Sequence, residues 1–335
     1  TPLSGTITAV TIRDSNALDL KALTTTGDLT VTAGGAVTQT GTLVIPGTTT
    51  ISASGYAVTL GDSSNNFGTL AITGANVTAT DTNAIILGAS TVSGTYSVTA
   101  DGDITDSGAL VITGLATLVA SSGNDVTLDE TANDFQGGLR ITSGGDVVLR
   151  DVGAIVLGAA TVSGTYSVTA GGAVTQSGAL AITGATTISA SGHNVTLNTA
   201  TNNFQGAVGI TGATVAVVDA GAIDLGASVV SGTYTVTATA GGGITNTGVL
   251  AIDNGATFKV DGGQSISLDQ ANTFSSAVTF VPLSGTITAV TIRDSTALEL
   301  QALTTTGGLT VTAGGAVTQS GTLVIPGTTT ISASG

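Results

Sequence analysis

The stretch LGAATVSGTYSVTAGG, from Leu157 to Gly172, decides how this chain is organised, because the rest of the chain repeats it. Similar phrases begin at Leu87 and Leu225, and more divergent versions begin at Leu20 and Leu300. The starting points are thus separated by about 67–75 residues, and a period of this size indicates an array of structural repeats rather than an ordinary globular domain.

An Asn-x-Phe motif follows the same period, since its Phe residues recur at intervals of about 68–70 residues. A longer repeat is also present, because residues 2–55 return as residues 282–335 with five differences. Because a repeat array has one continuous core, we expect residues 1–335 to form one continuous solenoid without separate domains. The markers of the shorter repeat are Asn65, Phe67, Asn133, Phe135, Asn202, Phe204, Asn272 and Phe274, together with Tyr96, Tyr166 and Tyr234.

Composition disfavours two classes of protein. Mean hydropathy is +0.49 and only 8% of the residues are charged, whereas disordered chains combine low hydropathy with high charge. No apolar run approaches the roughly 20 residues that a helix needs to cross a membrane. We therefore expect an ordered chain without a helical membrane insertion.

Net charge and cysteine content limit the kinds of ligand, disulfide and metal site that the chain is expected to have. The formal net charge is −15, from 21 acidic residues against six basic residues. Nucleic acid is disfavoured as a ligand because phosphate binding needs clustered Lys and Arg, and an anionic membrane surface is disfavoured for the same reason. The chain has no Cys, which excludes a disulfide framework and a thiolate metal site.

Short segments that alternate apolar and polar residues fill every repeat. Residues 166–170, 180–183 and 195–197 are examples, and Gly and Asn residues punctuate them. A period of two is typical of strands with one buried face. The small or β-branched inward positions of the first repeat are predicted to be Leu29, Val31, Ala33, Val37, Leu43, Ile45, Ile51, Ala53, Val58, Leu60, Leu70 and Ile72. Thr and Ser dominate the outward positions.

These strands can be arranged as hairpins or as a coil. Hairpins of this length usually need turns such as Asn-Gly or Asp-Gly, and Asn254-Gly255, Asp101-Gly102 and Asp261-Gly262 do not recur in every repeat. We therefore favour an all-β fold, a right-handed parallel β-helix (β-solenoid) with three short strands per coil. About nine strands per repeat give three coils of about 23 residues, and about 12 coils for the longer repeat of about 280 residues.

Two phrases carry a resemblance to a known family. The phrase LTVTAGGAVTQ at residues 29–39 and the phrase ANDFQG at residues 132–137 resemble repeats of filamentous-haemagglutinin-like exoproteins. These are long bacterial surface or secreted adhesins, many of them exported by two-partner secretion, with right-handed parallel β-helix shafts. The resemblance implies an extracellular or cell-surface location in a Gram-negative bacterium. The right-handed rule for parallel crossovers agrees with the implied handedness.

The repeat markers have structural and functional interpretations. We interpret each Asn of the motif as a corner residue that bonds the local backbone, the alternative being a ligand role. At every third coil, about 14 Å apart, these residues cannot form a touching ladder. We interpret each Phe as a corner or core plug, the alternative being a carbohydrate-stacking platform. The Tyr residues align with inward Leu29 and Leu309, so each is expected to fill the core and send its hydroxyl to a turn or to water.

No residue set indicates catalysis or a cofactor site. The lone His193 aligns with Tyr56, which predicts an outward corner. Asp101, Asp103 and Asp106 are a weak calcium candidate, because calcium takes six to eight oxygens and the equivalent run in the next repeat has no acid. Surface ion pairs are expected among Arg140, Asp146, Arg150 and Asp151.

We conclude from the sequence that the chain is a structural protein and not an enzyme: a rigid extracellular fibre or adhesin shaft for surface attachment or matrix. Expected partners are further copies, end to end or laterally, and a host-surface or polysaccharide receptor. The alternative is an ice-binding or carbohydrate-binding β-solenoid, since ranks such as Thr6-Ile-Thr8 and Thr30-Val-Thr32 can match an ice lattice. A polysaccharide-active enzyme is less favoured, because it would need a unique groove of acids and bases.

Overall fold

A computed structural model describes residues 7–334 and divides the chain into two compact units, residues 1–164 (unit 1) and 165–335 (unit 2). All regular structure in the described residues is β-strand. The strands of unit 1 are β1 (Val10–Asp14), β2 (Leu18–Leu20), β3 (Leu23–Thr24), β4 (Leu29–Ala33), β5 (Val37–Gln39), β6 (Leu43–Ser52), β7 (Val58–Leu60), β8 (Asn66–Gly74), β9 (Val77–Asp81), β10 (Ile85–Leu87), β11 (Ser90–Val92), β12 (Tyr96–Ala100), β13 (Ile104–Asp106), β14 (Leu110–Ile112), β15 (Ala116–Ala120), β16 (Val126–Leu128), β17 (Asp134–Phe135), β18 (Leu139–Ser143), β19 (Val147–Asp151) and β20 (Ile155–Val162).

Unit 2 continues with the same kinds of strand. They are β21 (Tyr166–Ala170), β22 (Val174–Gln176), β23 (Leu180–Ile182), β24 (Thr186–Ser189), β25 (Val195–Leu197), β26 (Asn203–Phe204), β27 (Val208–Gly212), β28 (Val215–Asp219), β29 (Ile223–Leu225), β30 (Ser228–Val230), β31 (Tyr234–Ala238), β32 (Ile244–Asn246), β33 (Leu250–Ile252), β34 (Ala256–Val260), β35 (Ile266–Phe274), β36 (Val278–Pro282), β37 (Val290–Asp294), β38 (Leu298–Leu300), β39 (Leu303–Thr304), β40 (Leu309–Ala313), β41 (Val317–Gln319), β42 (Leu323–Val324) and β43 (Thr329–Ala333).

The strands pair in parallel with strands one coil away along the chain. In unit 1, Val10 pairs with Leu29, Leu29 with Thr49, and Thr49 with Leu70. The strands of unit 2 pair in the same way. Each unit is therefore a parallel β-solenoid with about 20 residues per turn and three strand segments per coil. The predicted fold class is confirmed.

The coil is shorter than the expected length of about 23 residues, because one repeat contains a half-integral number of turns. Leu29 and Tyr96 hold the same position in consecutive repeats. Leu29 stacks between β1 and β6, whereas Tyr96 stacks between β9 and β15, in a different sheet. A repeat thus contains about three and a half turns, and the longer repeat corresponds to about 14 turns rather than 12.

A typical turn has one long strand of five residues facing two short strands of two or three residues. In unit 1 the long strand β12 stands on one side, and the short strands β13 and β14 stand on the other. Tyr96, Val98 and Ala100 of β12 point inward and are buried. Two-residue periodicity and the spacing of the turn residues together set this cross-section.

Long and short strands exchange sides once in every repeat. In unit 1 the end of β8 is a long strand, and only two residues separate it from the long strand β9. The short strands β10 and β11 stack on the end of β8, while β9 stacks on the short strand β7. We call such a place a junction. The junctions lie between β8 and β9 and between β18 and β19 in unit 1, and between β27 and β28 and between β36 and β37 in unit 2.

The core consists of the inward side chains of all three strand segments. Each of the twelve inward positions predicted for the first repeat is buried, so that prediction is confirmed. Unit 2 adds an aromatic cluster, in which the ring of Phe258 lies 6.1 Å from Tyr234, 6.2 Å from Phe274 and 6.0 Å from Phe280. Burying side chains of this size contributes about 1.5–3 kcal/mol each.

A tight turn follows the third long strand of the first and third repeats. In unit 1 the Tyr56 N–H donates to the Ala53 carbonyl at 2.9 Å, and Gly55 has φ of +79°. In unit 2 the His193 N–H donates to the Ala190 carbonyl at 2.9 Å. A left-handed backbone favours glycine, which explains the Ser-Gly pair that precedes each of these exposed corner residues.

Candidate functional site

The Asn of each Asn-x-Phe motif is fully buried at the corner between two short strands. Asn202 Oδ1 accepts the Leu180 N–H at 3.0 Å, and its Nδ2 donates to the Leu197 carbonyl at 3.2 Å and to the Val218 carbonyl at 3.1 Å. Equivalent Leu N–H donors lie 2.9–3.0 Å from Asn65, Asn133 and Asn272. The predicted backbone role is confirmed, although the residues recur every three and a half turns rather than every third coil.

A second polar side chain, 26 or 27 residues earlier in the chain, pairs with each buried Asn. Gln176 Nε2 donates to Asn202 Oδ1 at 2.8 Å, and Asn202 Nδ2 donates to Gln176 Oε1 at 3.0 Å. Gln39 makes the same two bonds with Asn65. The remaining pairs are Asp106 with Asn133 and Asn246 with Asn272.

A buried Asp completes each junction at the end of the first long strand of the next repeat. Asp219 Oδ2 accepts the Phe204 N–H at 2.7 Å, and its Oδ1 accepts the Gly221 N–H at 2.6 Å. The same carboxylate-to-Phe bond recurs at the other three junctions, from Asp81 to Phe67, Asp151 to Phe135, and Asp294 to Phe274. Each carboxylate thus satisfies an N–H where the strand ladder changes register.

Burial controls the protonation of these carboxylates. It raises the pKa of Asp81, Asp151 and Asp219, and the N–H bonds from the Phe backbone offset part of that rise. Burial also raises the pKa of Asp106, against the opposing effect of the Asn133 side chain. These groups therefore retain a proton at higher pH than exposed Asp residues do.

Sequence reasoning missed the junction Asp residues because it treated acids as surface charges. Asp151, predicted to make a surface ion pair, is 2% exposed and bonds the backbone instead, so that prediction was wrong. The available signal was spacing. The final Asp of β1, β9, β19, β28 and β37 stands at the same offset before the Leu that begins each of the five repeat phrases.

The aromatic markers lie in the core. The four Phe residues of the motif and the three Tyr residues are at most 2% exposed, which agrees with their interpretation as plugs. The Tyr96 and Tyr234 hydroxyls make no hydrogen bond of good geometry among residues 7–334. Burial raises the pKa of both phenols, although Ser90 and Ser228 lie close enough to lower it slightly.

The weak calcium candidates do not converge on one point. Asp101 accepts from the Ser121 hydroxyl, Asp103 accepts from the Asp125 backbone, and Asp106 accepts from Asn133. Across the described part of the chain, no group of three or more His, Asp or Glu side chains could hold a metal ion. His193 is an exposed corner residue, like Tyr56 in the first repeat.

The outward residues of the long strands form surfaces that we call long-strand faces, one per repeat. They occupy the second and fourth positions of each long strand, and most are Thr or Ser. Within residues 7–334, five of the six basic residues of the chain lie on these faces and no acidic residue does. The five are Arg13, Arg140, Arg150, Lys259 and Arg293.

An apolar cleft lies in unit 2. Its volume is about 420 Å³, and most of its lining is apolar side chains such as Leu300, Val317 and Ile331, with Thr318 and Gln319 as its polar ones. Within residues 7–334, no helix is long and apolar enough to cross a membrane.

Comparisons with known proteins agree with the repeat boundaries. A family model described as repeats of unknown function (DUF5649) matches residues 8–73, 74–142, 144–211, 212–281 and 287–335. The boundaries between these matches fall at the junctions where long strands change sides. No curated protein and no solved structure matches the chain.

Proposed function

The chain belongs to the DUF5649 family of repeats, and we propose that these repeats form a rigid structural shaft in an extracellular fibre or adhesin. The observation that carries the proposal is the recurrent junction. In each of the first four repeats, the recurring Asn and Asp side chains are buried and bond backbone groups of neighbouring coils. The recurring polar side chains of the repeat thus serve the stacking of coils.

This arrangement suits a load-bearing element. In a solenoid each coil contacts only its neighbours, so stability grows by adding equivalent interfaces along the axis. Ladder hydrogen bonds run from coil to coil, and the junction bonds strengthen the points where the ladder changes register. Added repeats lengthen such a shaft without a new fold.

The extracellular location and the adhesive role are supported by composition and by resemblance. The chain has no Cys, which avoids mispairing in an oxidising compartment, and its phrases resemble those of filamentous-haemagglutinin-like exoproteins. The corner residue at the turn differs between repeats, with Tyr56 and His193 as examples. Such variable exposed corners suit a surface that meets a host or polysaccharide receptor, while the shaft itself carries no catalytic function.

Ice or carbohydrate binding is the second candidate, and the Thr-rich long-strand faces favour it. In unit 1, Thr11, Thr30 and Thr50 follow one another in register. The rank is short, however, because the long strands leave that side at the junction after β8. Thermal hysteresis, or retention on immobilised polysaccharide that depends on the long-strand faces rather than on the corner residues, would favour this candidate over a shaft.

Electron microscopy of the native full-length material tests the proposal. Long thin fibres with a layer line at about 4.8 Å along the axis are expected, because this is the spacing of stacked strands. Protease treatment of intact cells should release the protein, since the shaft is exposed outside. Compact particles without the spacing, or complete protection from external protease, would contradict the proposal.

A further inference from the structure

Charge is segregated between the two kinds of surface. The long-strand faces hold five basic residues and no acid, in a chain of net charge −15. The exposed acids lie on the short-strand sides and at the corners. We infer that the long-strand faces are lateral contact surfaces for a second copy of this chain. The inference rests on the proposed shaft and names the surface through which shafts associate.

The basic residues of these faces are available for a partner. Within residues 7–334, the ion pair that forms joins Lys21 to Asp19, both on a short-strand side. Arg13 and Arg140 of unit 1 make no ion pair with the described residues, and both are exposed. A partner that supplies carboxylates would therefore meet unpaired cations on an otherwise hydroxyl-rich strand surface.

Unit 1 also presents the complementary surface. The side that carries the first long-strand face continues, beyond the junction, into the short strands β10, β11, β13, β14, β16 and β17. Asp106, Asp129, Glu130 and Asp134 lie on this stretch, with further acids at the corner that leads to it. One side of unit 1 thus presents a hydroxyl-rich face that carries Arg13 and no acid, followed by an acidic surface.

This order makes the side self-complementary. When a second copy is placed antiparallel on the same side, each basic face meets the acidic stretch of the other copy, as an isologous two-fold contact requires. Other registers place acidic stretches against each other and are disfavoured by repulsion. Side exchange at each junction therefore gives the contact a defined register.

The size of the contact predicts weak, cumulative binding. A five-residue strand spans about 17 Å and four stacked strands span about 19 Å, so one face covers roughly 300 Å². Two such surfaces per copy approach, but do not reach, the roughly 800 Å² per partner of a stable interface. Exposed ion pairs add little individually and are screened by salt. We expect affinity to rise with the number of repeats engaged.

The test uses sedimentation and negative-stain microscopy of the full chain. Association should appear at low ionic strength and vanish at about 0.5 M salt, because salt screens exposed charges. Arg13→Glu, on the first long-strand face, should weaken association about fivefold, as loss of a weak ion pair predicts. Lys21→Glu changes the net charge equally but lies on an acidic short-strand side, so it should leave association unchanged or tighten it.

Reversal of all five basic residues should abolish association, and adding Asp129→Lys and Asp134→Lys to that variant should restore part of it. Equal weakening by Arg13→Glu and Lys21→Glu would overturn the inference, because it would indicate general repulsion. A chain that stays single at every salt concentration would also overturn it. Circular dichroism and single-shaft images separate this outcome from failure of the shaft proposal, in which no solenoid would be seen.

Discussion

Two junctions bury the same kind of residue, an Asn, against different hydrogen-bond partners. In unit 2, Gln176 both donates to and accepts from Asn202, and its Oε1 also accepts the Thr199 N–H at 3.2 Å. In unit 1, Asp106 takes the same place and accepts Asn133 Nδ2 at 2.6 Å, but it cannot donate while ionised. The backbone bond from the following Leu to the Asn is retained in both.

The buried Asn is common to both junctions, whereas its side-chain partner differs. The Asn and its backbone bonds are present in both cases, so they fix the corner. At these two junctions the partner residue accepts a hydrogen bond from the Asn whether it is neutral, as Gln176 is, or acidic, as Asp106 is. The acidic version makes the junction sensitive to pH, because burial raises the pKa of Asp106.

Removing the buried Asn that both junctions share should lower the free energy of unfolding most. Asn202→Ala leaves the buried Leu180 N–H without its acceptor and Gln176 without its partner. We expect about 3–5 kcal/mol of destabilisation, as for a broken buried network. Denaturant unfolding and hydrogen exchange at Leu180 would measure this. Asn203→Ala, at the exposed neighbouring position, is the matched control and should change stability by less than about 0.5 kcal/mol.

Loss of the junction carboxylate should lower the free energy of unfolding by an intermediate amount. Asp219→Ala removes the acceptor for two N–H groups, from Phe204 and Gly221, so we expect about 2–3 kcal/mol of destabilisation. Asp219→Asn keeps one acceptor oxygen and should lose less. An unfolding free energy of Asp219→Ala equal to that of the unsubstituted chain would show that the carboxylate bonds do not stabilise the junction.

Converting the acidic junction to the neutral form should stabilise the chain at neutral pH. We expect Asp106→Gln to gain about 1 kcal/mol at pH 7, through the added donor. Burial raises the folded-state pKa of Asp106, so the stability contribution of Asp106 is full below its unfolded pKa and is lost as pH rises through the folded pKa.

The difference between Asp106→Gln and the unsubstituted chain should therefore shrink as pH falls from 7 towards 4, where Asp106 becomes protonated in both states. Unfolding curves at several pH values measure the trend. A difference that grows on acidification would contradict the assigned direction of the pKa shift.

The smallest change in the free energy of unfolding is expected at the fourth junction, where Asn246 pairs with Asn272. Asn246 is one carbon shorter than Gln176, and its buried Oδ1 has no hydrogen-bond partner among the described residues. Asn246→Gln should let this oxygen reach Asn272 and stabilise unit 2 by about 0.5–1 kcal/mol. Gln176→Asn is the reciprocal change and should destabilise the third junction by a similar amount. An unchanged melting temperature for both variants would show that chain length at this position is unimportant.

Much of the fold could be predicted from the sequence because its signals are local. Alternation located the strands and identified inward residues such as Val31 and Ile51, which are buried. The number of turns per repeat could not be derived this way, because it depends on which strands stack. The half turn arises where the long end of β8 is followed directly by the long strand β9. Only Ala75 and Asn76 lie between the two strands.

The candidate site was predicted in part. The Asn residues stood out because they share a motif with Phe. The junction Asp residues did not, since their partners lie 14–20 residues earlier in the chain and no local pattern links them.

Spin-label distances in unit 1 test the half-integral repeat directly, since the chain has no native Cys. Thr11→Cys with Ala71→Cys is the reference pair, three turns apart on one side and about 14 Å in separation. Thr30→Cys with Ser97→Cys joins equivalent positions of consecutive repeats. We expect about 30 Å for this second pair, because the labels project from opposite sides of stacked sheets. A second separation as short as that of the reference pair would mean a whole number of turns per repeat and would contradict the exchange of sides.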